Sequence, residues 1–130
     1  MDEDEKKATL REARILEVLN HPFITRFREV YRTRKGILCI VMEYCEGGDL
    51  AKRIKDRQDK HRTTGTYNYF SEDQVLNWFT QMSLAVKHVH DRKILHRDLK
   101  AQNIFLGKMD HCKLGDFGVS SILKQTKDRA

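Results

Sequence analysis

Ile94-Leu95-His96-Arg97-Asp98-Leu99-Lys100-Ala101-Gln102-Asn103-Ile104-Phe105-Leu106, followed shortly by Leu114-Gly115-Asp116-Phe117-Gly118, decides how this chain is read. Two short apolar runs, Ile94-Leu95 and Ile104-Phe105-Leu106, bracket a polar loop. A third run, Lys113-Leu114-Gly115, leads to another Asp. Runs this short bury little alone, so they are expected to be small strands anchoring a loop whose side chains converge. The loop holds a carboxylate (Asp98), an ammonium two residues on (Lys100) and an amide five residues on (Asn103). Asp116 follows on a turn that Gly115 and Gly118 permit. A base for a hydroxyl proton, a cation for developing phosphate charge, and an Asn with an Asp to hold divalent metal are what phosphoryl transfer requires.

Upstream, residues 10–19 carry apolar residues at three-to-four spacing (Leu10, Ala13, Leu16), which predicts a helix ended by Asn20 and Pro22. Glu12 lies on that helix, four residues from Leu16, and taken alone is a solvated acid. Residues 23–42 are rich in β-branched and aromatic types. Two antiparallel strands are expected, over 26–32 and 36–42, turning at Arg34-Lys35-Gly36. The second strand does not alternate, which predicts burial on both faces. Glu43-Tyr44-Cys45-Glu46-Gly47-Gly48 then reads as a hinge, and Asp49 as the cap of a helix over about 50–59.

Residues 61–68 read as a surface loop. Ser71 and Gln74 form a capping box, and Phe70 with Val75 a hydrophobic staple. Val75, Phe79, Met82, Val86 and Val89 predict an apolar helical stripe flanked by Trp78. His88 and His90 are two apart and point to different sides of that helix, so metal ligation there is not expected. Gly107-Lys108-Met109-Asp110 reads as a hairpin loop.

The chain has 130 residues, enough for one small domain. Its net charge is +6, but 19 acids are interspersed and the densest basic run, 52–62, contains Asp56 and Asp59. A solvated helix fits that run better than a nucleic-acid surface. The three cysteines form no C-x-x-C and suit a reducing compartment. The charged opening, Met1-Asp2-Glu3-Asp4-Glu5-Lys6-Lys7, is unlike a signal peptide, and the longest apolar run, 37–42, is far short of a membrane span. A cytoplasmic or nuclear protein, with no nucleic-acid or membrane partner, is expected.

His96-Arg97-Asp98 with Asn103, then Asp116-Phe117-Gly118, resembles the signature pair of eukaryotic protein kinases. Ile40 through Leu50, Phe70-Ser71-Glu72-Asp73-Gln74 and His88 through Asp98 are similar to the NIMA-related (Nek) serine/threonine kinases. The resemblance implies an α+β, protein-kinase-like fold, partial. It runs from helix αC through two small-lobe strands and the hinge into the helical large lobe as far as the Asp-Phe-Gly motif. Residues 1–42 would be a small-lobe remnant, 43–49 the hinge, and 50–130 the first part of the large lobe.

It also implies ATP and Mg²⁺ as cofactors and proteins bearing Ser or Thr as substrates. Asp98 would be the catalytic base, and Lys100 would contact the transferring phosphate. Asn103 and Asp116 would ligate Mg²⁺. Met42 would stand behind the adenine, the backbone of Glu43 and Cys45 would bond its edge, Asp49 would lie near the ribose, and Phe105 beneath the ring. Leu16, His96 and Phe117 would join a spine between the lobes. Glu12 would be the helix αC glutamate, and Arg97 would read an activation-loop phosphate.

The seven glycines make no G-x-G-x-x-G. No strand carrying an Ala-x-Lys lysine precedes Glu12, and Lys6 and Lys7 lie too near it to pair with it across a sheet. No Ala-Pro-Glu follows Phe117. The chain therefore reads as a slice of a kinase domain, expected to transfer little phosphate alone. The alternative is a non-catalytic module that binds a regulatory protein partner.

Overall fold

The computed structural model describes residues 3, 4, 7, 17, 19–66, 68–94 and 99–115. The helix expected over 10–19, with Glu12 and Leu16, lies almost wholly outside them, as do His96, Arg97, Asp98, Asp116 and Phe117.

Strands β1 (Phe27–Arg32) and β2 (Leu38–Met42) form an antiparallel pair, with Val30 opposite Ile40 and Phe27 opposite Met42. A register shift between Phe27 and Glu29 absorbs one extra residue. The turn between them closes through Gly36 N–H to Thr33 O at 2.9 Å, and Gly36 takes the left-handed φ of 83° that glycine tolerates. The expectation that β2 is buried on both faces is corrected. Its residues are half-buried and Val41 is exposed. Among the described residues β2 pairs only with β1, so its apolar run is covered on one edge alone.

Helix α1 (Leu50–Thr64) starts where Asp49 Oδ1 accepts the Lys52 N–H at 2.8 Å. It runs beyond the expected end near residue 59, so the first half of the expected loop over 61–68, residues 61–64, is helical. The Thr63 and Thr64 hydroxyls donate back to Asp59 O and Lys60 O, and Gly65 ends the helix at φ 70° with its N–H on His61 O. No residue of α1 is fully buried.

Helix α2 (Glu72–Asp91) is capped by Ser71, whose Oγ accepts the Gln74 N–H at 3.1 Å. Its inward stripe is Trp78, Met82, Ala85 and Val89. Of the expected stripe, Met82, Val86 and Val89 pack into the core, whereas Phe79 is 70% exposed and Val75 50%, their places being taken by Trp78 and Ala85. Both stripes satisfy the same spacing and share Met82 and Val89. Trp78 faces in because its indole N–H finds Asp110 O at 2.8 Å. The staple partner is different too, since the Phe70 ring packs on Trp78, centroids 5.0 Å apart.

Strands β3 (Ile104–Leu106) and β4 (Cys112–Leu114) form the expected hairpin. Its loop carries Met109 and Asp110 at positive φ, held by Trp78 on Asp110 O and by Arg53 on the Asp110 carboxylate at 3.2 Å. One core joins Leu19, Ile24 and Phe27 to Ala85, Val89 and Leu114. A second joins Trp78 to Leu106 and Cys112. Each fully buried large apolar side chain contributes about 1.5–3 kcal/mol. Segment 23–26 runs alongside β4, with Leu114 N–H on Phe23 O and Thr25 N–H on Leu114 O. No described helix is long and apolar enough to cross a membrane.

Candidate nucleotide cleft and catalytic loop

The connector between β2 and α1 folds back onto β3. Gly47 N–H donates to Leu106 O and Leu106 N–H to Gly48 O, both at 2.8 Å, and Asp49 bridges Phe105. A Cβ on Gly47 would lie 2.7 Å from Leu106 O, so close backbone approach requires glycine there. Gly48 needs glycine for its φ of 69°. The connector read from sequence as a hinge is therefore hydrogen-bonded to β3.

This fold-back encloses a cleft of about 620 Å³, within the range of small-molecule sites. Met42, Glu43, Cys45, Asp49 and Phe105 all line it. The five residues assigned to cofactor contact from the sequence are thus brought together. Thr25, Gly47, Lys52, Arg53 and Asp56 line it too and were missed. Asp56 and Lys52 follow Asp49 on the first turns of α1, a helical spacing that could have revealed them. Thr25 carries no sequence signal.

Burial pushes the Glu43 carboxyl up. The Lys113 ammonium at 2.9 Å, the Arg26 N–H at 2.9 Å and the charge of Arg28 outweigh it, so its pKa falls below the ordinary value. The Cys45 thiol is pushed up by burial and by the Glu43 charge. Thr25 is 2% exposed and lies beside that thiol, which it makes easier to ionise. The contact falls short of hydrogen-bond geometry, and among the described residues Thr25 Oγ1 has no hydrogen-bond partner. An unsatisfied buried hydroxyl costs roughly 1–3 kcal/mol.

The donor set fits an adenine nucleotide. Met42 and Phe105 supply apolar walls. The Glu43 carbonyl and the Cys45 N–H enter no hydrogen bond with another described residue. Asp49 spends one oxygen on its helix cap and keeps the other.

Of the expected catalytic residues, Lys100 and Asn103 are described: Lys100 precedes, and Asn103 ends, a short 3-10 turn over Ala101–Asn103. They lie outside the cleft lining. Asn103 N–H donates to Lys100 O and Gly115 N–H to Asn103 O, both at 2.9 Å. Asn103 is thereby fastened beside the residue that precedes Asp116. Gly115 is needed there, since a Cβ would meet the Phe105 ring at 2.7 Å.

A protein kinase domain model matches residues 1–130. The chain belongs to the protein kinase domain family. Among curated kinases, it is 47% identical over its whole length to serine/threonine-protein kinase Nek1 of Mus musculus, covering 10% of that protein. It is 51% identical to serine/threonine-protein kinase Nek5 of Homo sapiens over 97% of the chain, covering 17% of that protein. It is 41% identical to Nek11 of Homo sapiens over 92% of the chain, again covering 17%. This kinase-family chain therefore spans less than a fifth of the length of these relatives. The resemblance seen in its motifs is the one these relatives carry.

Proposed function

We propose that the chain supplies the adenine-nucleotide cleft and catalytic loop of a serine/threonine protein kinase that transfers the ATP γ-phosphate to Ser or Thr hydroxyls of proteins. The observation that carries this is the convergence of Met42, Glu43, Cys45, Asp49 and Phe105 on one cleft. Met42 stands behind the base and Phe105 packs beneath it, the Glu43 carbonyl and Cys45 N–H bond its edge, and Asp49 takes a ribose hydroxyl. Asp98 orients the substrate hydroxyl and accepts its proton as the oxygen attacks. Lys100 neutralises charge developing on the transferred group. Asn103 and Asp116 would hold Mg²⁺, which when bound offsets phosphate charge. Arg97 would pair with an activation-loop phosphate, and Leu16, Glu12, His96 and Phe117 would align the lobes.

Positioning supplies most of the rate in phosphoryl transfer. With no glycine-rich loop or Ala-x-Lys lysine in its sequence, the 130-residue chain is expected to bind nucleotide and to transfer little phosphate. Calorimetric titration with Mg-ADP, paired with labelled-phosphate transfer from ATP to a casein-like acceptor, tests this. Saturable ADP binding with transfer near background is expected. Absence of binding overturns the cleft assignment. Robust transfer abolished by Asp98→Asn overturns the expected inactivity. The exposed apolar residues Val75, Leu76 and Phe79 on α2 favour a second reading, a protein-binding module that needs no nucleotide.

A further inference from the structure

A second groove lies on the other side of α1, away from the nucleotide cleft. It has a volume of about 390 Å³, between α1 and residues 68–70. Its walls are Ile54, Arg57, His61 and Arg62 from the helix, with Tyr69 and Phe70 opposite. No Asp or Glu lines it.

Arg57 is the unusual group. Its Nη1 donates to Asn68 O at 3.0 Å, and its guanidinium carbon sits 4.3 Å from the centre of the Phe70 ring. A carbonyl and a ring hold the fork in place, yet neither carries negative charge. Among the described residues no carboxylate pairs with Arg57. The Arg62 side chain is 78% exposed and, among the described residues, its one ion pair is with Asp59, at 4.0 Å. The floor is apolar and open: Tyr69 is 76% exposed and Ile54 36%. A guanidinium already ordered, without a counter-ion, and beside exposed aromatic surface loses little further freedom on meeting an anion.

From this we infer that the groove between α1 and residues 68–70 is a docking site for an acidic peptide segment of a protein partner, one that seats an aromatic or aliphatic side chain against Ile54 and Tyr69 and a carboxylate on Arg57. Charge complementarity selects the occupant. Across α1, six Lys or Arg stand against Asp56 and Asp59, and Asp56 faces the nucleotide cleft instead. A peptide is favoured over nucleic acid because one fixed arginine with an apolar floor suits a side-chain anchor. Nucleic acid would call for a stripe of phosphate contacts. The inference stands apart from nucleotide binding.

The test is fluorescence anisotropy of the 130-residue chain with three labelled probes. They are a short Glu-rich peptide carrying one Phe, the same peptide with Lys for Glu, and a short oligouridylate. The Glu-rich peptide is expected to bind and the Lys peptide to fail. Arg57→Gln should weaken binding about tenfold or more, the loss of one charge-assisted bond. Tyr69→Ser, at an exposed position, should weaken it severalfold. Lys55→Gln, on α1 but outside the groove, should leave it within twofold. Helix content by circular dichroism checks that each variant is folded. Equal loss in Lys55→Gln and Arg57→Gln would reduce the effect to diffuse surface charge and overturn the site. Tighter binding of the oligouridylate with the same Arg57 dependence would overturn the peptide assignment in favour of RNA.

Discussion

Lys113 Nζ lies 2.9 Å from Glu43 Oε1, and the same oxygen accepts the Arg26 N–H at 2.9 Å. One carboxylate thus joins the cleft connector, segment 23–26 and β4. Both side chains are 23% exposed, so solvent screens the pair only in part. Because the Glu43 pKa is depressed in the folded state, its contribution is fully present above the unfolded value near 4.5 and is lost as pH falls through the folded value. Lys113→Met should cost roughly 1 kcal/mol or less at neutral pH. It should also flatten the acid limb of the stability curve below pH 4.5. Urea midpoints of the two proteins across pH 3 to 7 measure this, and parallel curves would show that the pair contributes nothing.

A second acid response is expected at higher pH. The His21 and His88 rings lie 4.9 Å apart. Burial lowers both pKa values, and Arg92 lowers them further. His88 adds to the effect on His21, while Asp91 partly opposes it on His88. Both imidazoles are held neutral, so the contribution is complete above 6.5 and declines as pH falls below it toward the folded values. Following the two ring protons by NMR should give midpoints below 6.5. Midpoints at or above that value would contradict the assignment.

Gly47→Ala should destabilise the chain by about 1–3 kcal/mol, because the new Cβ meets backbone at Leu106 and only a shift of β3 or the connector relieves it. The same substitution at Gly107, where the nearest atom to a Cβ is 3.7 Å away, should cost far less. Thermal melts of the two variants side by side give the comparison. Equal losses would mean that the Gly47–Leu106 contact is relaxed in solution.

Trp78 is the only tryptophan, 7% exposed, and so reports directly on the second core. Trp78→Phe strands Asp110 O and should cost about 1 kcal/mol, whereas Trp78→Ala should cost about 3–5 kcal/mol. In the unmodified chain its emission should shift to the red in a single step with urea. Cys112, whose Sγ points to Trp78 O and whose pKa burial pushes up to about 11, should resist alkylation until that step. Reaction of Cys112 at the rate of a free thiol before the emission shift would place Trp78 in an open region.

Much of this architecture was legible because its signals are local. The Asp49 and Ser71 caps, the Gly36 turn and the β3–β4 hairpin each need only a few neighbouring residues, and each formed. Where two local solutions were equally good, tertiary partners chose. Nothing within α2 says whether Trp78 or Phe79 faces inward, and the carbonyl that decides it belongs to Asp110. Helix α1 runs past residue 59 because Thr63 and Thr64, types common in loops, are accommodated within it. Here their hydroxyls bond the preceding turn, and Gly65 sets the stop. In the site, the motif residues 42–49 and Phe105 carry their own signature. Thr25 and the Lys113–Glu43 pair exist only through contacts between distant segments.

The bonding of segment 23–26 to Leu114 orders events during synthesis. Thr25 and its partner strand are separated by most of the described chain, so the β1–β2 hairpin leaves the ribosome long before the edge that anchors it has been made. Closing so long a loop pays its entropy before any contact rewards it. Until Leu114 emerges, Ile24 and Phe27 have no Leu114 to bury against. The early hairpin is therefore a dependent of the late one, and nascent chains stalled before residue 114 will present the apolar side of β1 to solvent and to chaperones.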